Sequence, residues 1–306
     1  MVFKEVLQPL LSKWNAYKYR FVPWIAVNVG KNQRTLRFVP EEAQDKIISD
    51  DEVLNSLHRL FRGLFIRDLE RQNDVFRLLP EPIKSDYRES ASFTKKNLLL
   101  HGAHCEWENE VEYKCSFNPK GAMFEELGFA IGRAPSSLKS AGTGVFIIKG
   151  SVQKGAVVSM YPGTVYQQHE PVLFQSIGNP FIFRCIDGVL IDGNDRGVSK
   201  IIYRSCSGRD RLGPCKLSDD TWLSPFPVNP LAVGQYVNNC SNEREANVCY
   251  QEFDVPAHFP LHFRQYLPNV SYMHDIERPL RCVILVALRN ISLNEELFSN
   301  YYTIVH

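Results

Sequence analysis

The 306-residue chain is longer than one ordinary domain, and its 44% hydrophobic share suffices for a sizeable core, so a main domain with a smaller N-terminal appendage is expected. Thirty-five basic residues against 34 acidic ones give a net charge of +1, which removes any chain-wide electrostatic reason to bind nucleic acid or an anionic membrane. No apolar run approaches the roughly 20 residues that span a bilayer, no stretch has the form of a secretory signal, and the eight cysteines contain no C-x-x-C pair, so a soluble intracellular protein with reduced thiols and no metal is expected.

In chain order, Phe3, Val6, Leu7, Leu10, Leu11 and Trp14 recur at helical spacing, with Lys4, Lys13, Lys18 and Arg20 around and after them. This start reads as a docking helix or, by its basic amphipathic character, a mitochondrial presequence; Glu5 and the lack of a serine-rich stretch weigh against the second. A stronger stripe follows between Ala43 and Leu79, carried by Val53, Leu54, Leu57, Leu60, Phe61, Leu64, Phe65 and Leu69. Pro80 and Pro82 should end it, leaving a helical region over 1–83 and a polar linker over 84–120.

Residues 121–306 then read as a β-rich domain of short strands, at Val145 to Ile148, Ala156 to Tyr161, Phe181 to Phe183, Ile201 to Tyr203 and Cys282 to Leu288. The fold class is α+β. Residues 194–228, with Arg196, Arg204, Arg209, Arg211 and Trp222, read as an insertion.

Four segments carry chemistry. Ala141-Gly142-Thr143-Gly144-Val145-Phe146 lets the backbone approach a ligand closely, because glycine has no Cβ; alone, such a pair is more often a plain turn or bulge, and no helix and third glycine follow to make a dinucleotide fingerprint. Ser159-Met160-Tyr161-Pro162-Gly163 offers a hydroxyl. Gln235-Tyr236-Val237-Asn238-Asn239-Cys240-Ser241 runs from an apolar strand into amides that both donate and accept hydrogen bonds. Asn294 to Tyr302 is a turn, an acidic pair and a strand closing on tyrosines. The spacing of Asp192-Gly193-Asn194-Asp195-Arg196-Gly197 suits calcium poorly, with arginine at the fifth position and Tyr203 where a bidentate Glu is needed. The loose group His101, His104, Cys105 and Cys115 fits no common zinc spacing.

In this order the segments resemble the signature of the SET-domain methyltransferases: a G-x-G strand, a Y-x-G strand, an R-F-I-N-H-S-C segment and a final G-E-E-L-x-x-D-Y. Ile191-Asp192-Gly193 stands where the family often has I-D-A, and Asn229 to Gln235 where it has G-N-x-x-R. The resemblance implies a SET domain, S-adenosyl-L-methionine as cofactor and methyl transfer to a lysine side chain of a protein substrate. It implies Tyr301 and Tyr161 as catalytic residues, and Ala141, Gly142, Thr143, Gly144, Phe181, Gln235, Asn238, Asn239 and Tyr301 at the cofactor. The chain departs from the pattern at Gln235, where the family has arginine, at Asn239, where it has histidine, and in the reversed pair Cys240-Ser241. Ser299 stands where phenylalanine or tyrosine is usual.

Such a reaction asks for alignment of nucleophile, methyl and leaving sulfur, and for a dry channel that favours the neutral amine, since free lysine titrates near pH 10.4. Two other readings stay open: a non-catalytic SET module that binds partners through its arginine-rich insertion, and a methyltransferase acting on another residue such as histidine. No direct nucleic acid or membrane partner is expected, and the location is nucleus or cytosol, with the mitochondrion as alternative.

Overall fold

The structure, a computed structural model, describes residues 46–100, 117–139, 141–240, 244–274 and 278–299, with the side chains of 94–100 left aside. The amphipathic start at Phe3 to Trp14, the group at His101 to Cys115, and Tyr301 lie outside the described residues.

Helix α1 (Asp50–Arg67) starts on a reciprocal cap. The Ser49 side chain accepts from the Glu52 backbone N–H, and the Glu52 carboxylate accepts from the Ser49 backbone N–H. Val53, Leu57, Leu60, Phe61, Leu64 and Phe65 form the expected stripe, and all are buried. After the short α2 (Asn73–Arg77) comes α3 (Glu81–Leu100), which occupies residues expected to be linker. Pro82 does not stop it, because proline sits without penalty in a first turn, whose N–H groups have no intrahelical partner anyway. Buried Tyr87 and the partly buried Ile83 and Ala91 then give this helix a face against the core. The linker expected over 84–120 is cut at its far end too, since α4 (Pro119–Leu127) starts there, capped by the Asn118 side chain and closed by Gly128 in the left-handed conformation.

The β-rich part opens with β1 (Phe129–Pro135) antiparallel to β2 (Thr143–Gly150), followed by β3 (Val157–Tyr161) and β4 (Gly163–Tyr166). Then come α5 (Leu173–Ser176), β5 (Ile182–Arg184), β6 (Leu190–Asp192), α6 (Gly197–Arg209) and a small hairpin, β7 (Arg211–Leu212) with β8 (Cys215–Lys216). The order closes with β9 (Asn238–Asn239), β10 (Val248–Val255), β11 (Asn269–Ser271), β12 (Leu280–Ala287) and β13 (Phe298–Ser299). One sheet runs β10-β12-β3, a second runs β11-β4-β6-β5, and β13 pairs with β9. In the central strand β12 every residue from Cys282 to Ala287 is buried, as its unbroken apolar run requires of a strand covered on both faces.

Ile201 to Tyr203, expected as a strand, lies inside α6. Two β-branched residues and a tyrosine suggest a strand locally, but Ser199, Tyr203, Cys206 and Ser207 are the buried positions, and steps of four and three are helical. Residues 194–228 contribute to a small separate core, in which Tyr203 meets Trp222 edge-on at 4.9 Å and both pack with Leu223 and with Ala232 and Val270 from outside the segment.

Two contacts, among others, fasten the helical layer to the β-rich part. Phe61 packs on Phe259, Phe263 and Tyr266, while the Tyr87 hydroxyl shares a 2.9 Å hydrogen bond with His262. In the second, the buried Gln251 on β10 accepts from the N–H groups of Ile47 (2.7 Å) and Ile48 (3.1 Å) and donates to the Ile48 carbonyl (2.8 Å). Gln251→Ala leaves three backbone groups unpaired beside a small cavity, so it should lower stability by about 2–4 kcal/mol, read as an earlier urea midpoint with unchanged slope.

Candidate functional site

The site begins at the turn between β1 and β2. Ser136 N–H donates to the Gly142 carbonyl (2.8 Å), and Ala141 N–H to that of Leu138 (3.2 Å), so the G-x-G segment enters β2 from a closed loop. Gly142 takes φ +73°, and a Cβ placed on it would meet nothing within 4 Å. The glycine therefore serves the left-handed turn and also faces open space. Gly144 is required for another reason: a Cβ there would fall 2.1 Å from Glu296 Oε1.

Glu296 is the buried centre of the arrangement. Its Oε1 accepts from Ser136 Oγ at 2.7 Å, and its Oε2 from the Ser137 N–H at 2.8 Å and Ser137 Oγ at 2.6 Å. Oε1 also receives Asn238 Nδ2 at 3.3 Å, and the same amide donates to the Thr143 carbonyl at 3.1 Å. Burial by itself raises the acid's pKa, but the hydrogen bonds from Ser137, Ser136 and Asn238 outweigh it and hold the group below the ordinary carboxylate value. One carboxylate thus binds the β1–β2 turn, the G-x-G strand and the asparagine segment together.

The backbone makes the same junction. Asn294 to Leu297 runs beside β2, with Leu297 N–H donating to the Val145 carbonyl and Ile147 N–H to that of Glu295. The chain then pairs in parallel through β13 with β9, Phe298 opposite Asn238 and Ser299 opposite Asn239. Asn247 secures this crossing: its Nδ2 donates to the Glu296 carbonyl (2.8 Å) and its Oδ1 accepts from the Phe298 N–H (2.8 Å).

A second wall adjoins the first. The Tyr236 ring carries the Arg133 guanidinium at 5.1 Å on one side and meets Phe181 edge-on at 6.2 Å. Its hydroxyl donates to Asp195 Oδ2 at 2.6 Å; burial and then that carboxylate raise the phenol to about 12, so it stays neutral. Phe181 passes the contact on, since its carbonyl accepts from the Tyr161 hydroxyl at 2.7 Å. Tyr161 in turn packs on Phe183 and Tyr250.

Of the residues expected at the site, the structure brings together Ala141, Gly142, Thr143, Gly144 and Asn238 around Glu296, and joins Tyr161 and Phe181 to them through Tyr236 and Arg133. Asn239 enters by its strand pairing with Ser299. Gln235 is buried, and neither end of its amide finds a hydrogen-bond partner. That amide is sealed from solvent, so the groups that can face a ligand are the exposed Gly142 backbone, which looks into open space, and Asn238, whose amide is bonded to the adjacent Thr143 carbonyl. The residues present therefore fit a small polar cofactor. Sequence reasoning missed Ser136, Ser137, Arg133, Asp195 and Asn247; the only signal was the Ser136-Ser137 pair ahead of the G-x-G, and it has no periodicity to mark it.

No family model matches the chain. It is 59% identical over 301 residues to SET domain-containing protein 9 of Homo sapiens, covering 98% of this chain and 99% of that one. It is 59% identical over 277 residues to the protein of the same name from Pongo abelii, covering 90% of this chain and 99% of that one. Among solved structures it resembles ctPRC2 in an autoinhibited conformation bound to S-adenosylmethionine, at 15% identity and a TM-score of 0.32, over 59% of this chain and 16% of that one. It also resembles KRYPTONITE in complex with mCHG DNA and SAH, at 19% identity and a TM-score of 0.31, over 57% of this chain and 24% of that one. Those structural likenesses are distant, whereas the sequence kinship runs end to end: the chain belongs to the SET-domain family, as a relative of SET domain-containing protein 9.

Proposed function

We propose that the chain is an S-adenosyl-L-methionine-dependent protein methyltransferase whose acceptor is the amine of a lysine side chain. The observation that carries this reading is the single carboxylate of Glu296 holding Gly144 and Asn238 beside the open space at Gly142. When bound, the cofactor supplies an electrophilic methyl group on a sulfonium. The residues that would hold it are the Gly142–Gly144 backbone and the Asn238 segment. Tyr161, Phe181 and Tyr236 form an aromatic wall that excludes water, and exclusion of water favours the neutral, nucleophilic amine. Tyr301, taken from the sequence motif, is assigned the hydroxyl that orients the acceptor nitrogen. The described cysteines, among them Cys185, Cys206, Cys240 and Cys282, are free thiols, in keeping with the proposed setting inside the cell, in nucleus or cytosol with the mitochondrion as alternative.

The test is transfer of label from methyl-labelled cofactor to whole-cell protein, with the modified residue mapped by mass spectrometry. Label on lysine, reduced about 100-fold by Tyr301→Phe, is the expected result. Label on histidine replaces the acceptor but keeps the enzyme. No transfer, or full transfer by Tyr301→Phe, contradicts the assignment.

A further inference from the structure

Two neighbouring helices outside the site described above present apolar side chains to solvent. On α5 and just after it, Phe174 is 74% and Ile177 52% exposed; on α6, Val198 is 50% and Ile201 69% exposed. The helices lie side by side: Val172 and Ile202 share one small apolar cluster, and Asn179 Nδ2 reaches both the Gln175 carbonyl (2.9 Å) and Ser199 Oγ (3.4 Å). Val198 and Ile201 cannot be core residues of α6, whose buried positions are Ser199, Tyr203, Cys206 and Ser207. Scattered exposed apolar residues are ordinary, but several large ones across one helix pair make a docking surface.

The charge around them identifies the occupant. The helices α5 and α6 themselves contain no Asp or Glu, the acids Glu170, Asp195 and Asp210 standing at their ends, while α6 and the residue before it carry Arg196, Lys200, Arg204 and Arg209. Arg209 is taken by Asp210, and the Lys200 amine by the Leu223 carbonyl. Arg196 has only its sequence neighbour Asp195, at 3.6 Å, and Arg204 is exposed with no ion pair among the described residues. A face whose most exposed charges, Arg196 and Arg204, are cations set among exposed apolar side chains complements an acidic segment bearing leucine- or phenylalanine-type anchors. It disfavours a second copy of itself, which would set cation against cation, and the apolar residues would be wasted on a nucleic acid backbone.

We propose that the α5–α6 face is a docking site for an acidic, apolar-anchored protein segment. The site acts by binding alone and is independent of methyl transfer. The probe is a fluorescent synthetic peptide of about 15 residues combining Glu with Leu and Phe, compared with its Lys-for-Glu counterpart and with a labelled DNA duplex, on the full chain by anisotropy. The Glu peptide should bind, the Lys peptide should not, and Ile201→Ser and Arg204→Glu should each weaken the Glu peptide about tenfold or more with unchanged melting temperature, since both side chains are exposed. The proposal is overturned if the Glu peptide does not bind, if the two variants bind it as the parent does, if the Lys peptide binds equally, or if the duplex displaces the peptide from this face. Sedimentation showing a dimer that Ile201→Ser dissolves would equally overturn it, giving the face to a second copy.

Discussion

Gly163→Ala should cost about 4 kcal/mol or more, enough to leave most of the protein unfolded or insoluble at working temperature. Gly163 holds φ +143°, a region open in practice to glycine alone, and a Cβ there would fall 2.3 Å from the Asp192 carbonyl oxygen and 2.6 Å from its carbon. These are backbone atoms of the neighbouring strand and cannot swing aside. The residue also starts β4, donates its N–H to the Pro268 carbonyl at 2.9 Å and pairs with Asn269, so the damage would spread through the β11-β4-β6-β5 sheet. Gly197→Ala is the control. Gly197 also has positive φ, at +56°, but nothing lies within 4 Å of its added Cβ, so only the conformational cost remains, about 1 kcal/mol. Thermal melts of the two variants should therefore separate widely, and equal melting temperatures would show that the close approach of β4 to Asp192 is wrong.

Glu296→Gln should loosen the site more than its small change in shape suggests. The carboxylate accepts four hydrogen bonds, from two hydroxyls, a backbone N–H and an amide. An amide in its place turns one acceptor atom into a donor that faces other donors. Losing charged, buried hydrogen bonds of this kind costs about 1.5–3 kcal/mol in stability, and cofactor affinity should fall at least about tenfold, because Asn238 and the G-x-G strand lose their common anchor. The pH dependence follows in sign. The folded-state pKa lies below the ordinary 4.5, so the carboxylate's contribution is complete above that value and disappears as pH falls through the lower one. Urea titrations across acid pH should show a steeper loss for the parent than for Glu296→Gln. Parent-like stability and affinity in the variant would remove Glu296 from the role assigned to it.

The two parts of the chain differ in how far the sequence reveals them. The α1 stripe is legible because six buried apolar residues repeat at the helical period. The start of α3 is hidden because Pro82, which usually stops a helix, here occupies a first turn where it costs nothing. Helix α6 is hidden by Ile201 and Ile202, whose local preference for strands is overridden by burial of Tyr203 and Cys206 against Trp222 and Tyr272. The segments of the candidate site are legible as an ordered set of motifs, since glycines without a Cβ and amides that read polar groups keep their character in any context. Its organisation is not. Glu296 meets Ser136 and Ser137 across 160 and 159 positions of chain, and no local rule connects residues that far apart. Likewise, nothing in the apolar run around Gln235 predicts that its amide would be buried without a partner.

The measurement that bears most directly on the whole account is a calorimetric titration of S-adenosyl-L-methionine into the parent chain and into Gly142→Asn. Asparagine tolerates the left-handed conformation that Gly142 adopts, and no atom within 4 Å of the added Cβ opposes it, so the variant should melt with the parent while its side chain fills the free space. The account predicts saturable heat for the parent and none for the variant at equal stability. Absence of heat with the parent, or undiminished binding by Gly142→Asn, would contradict it.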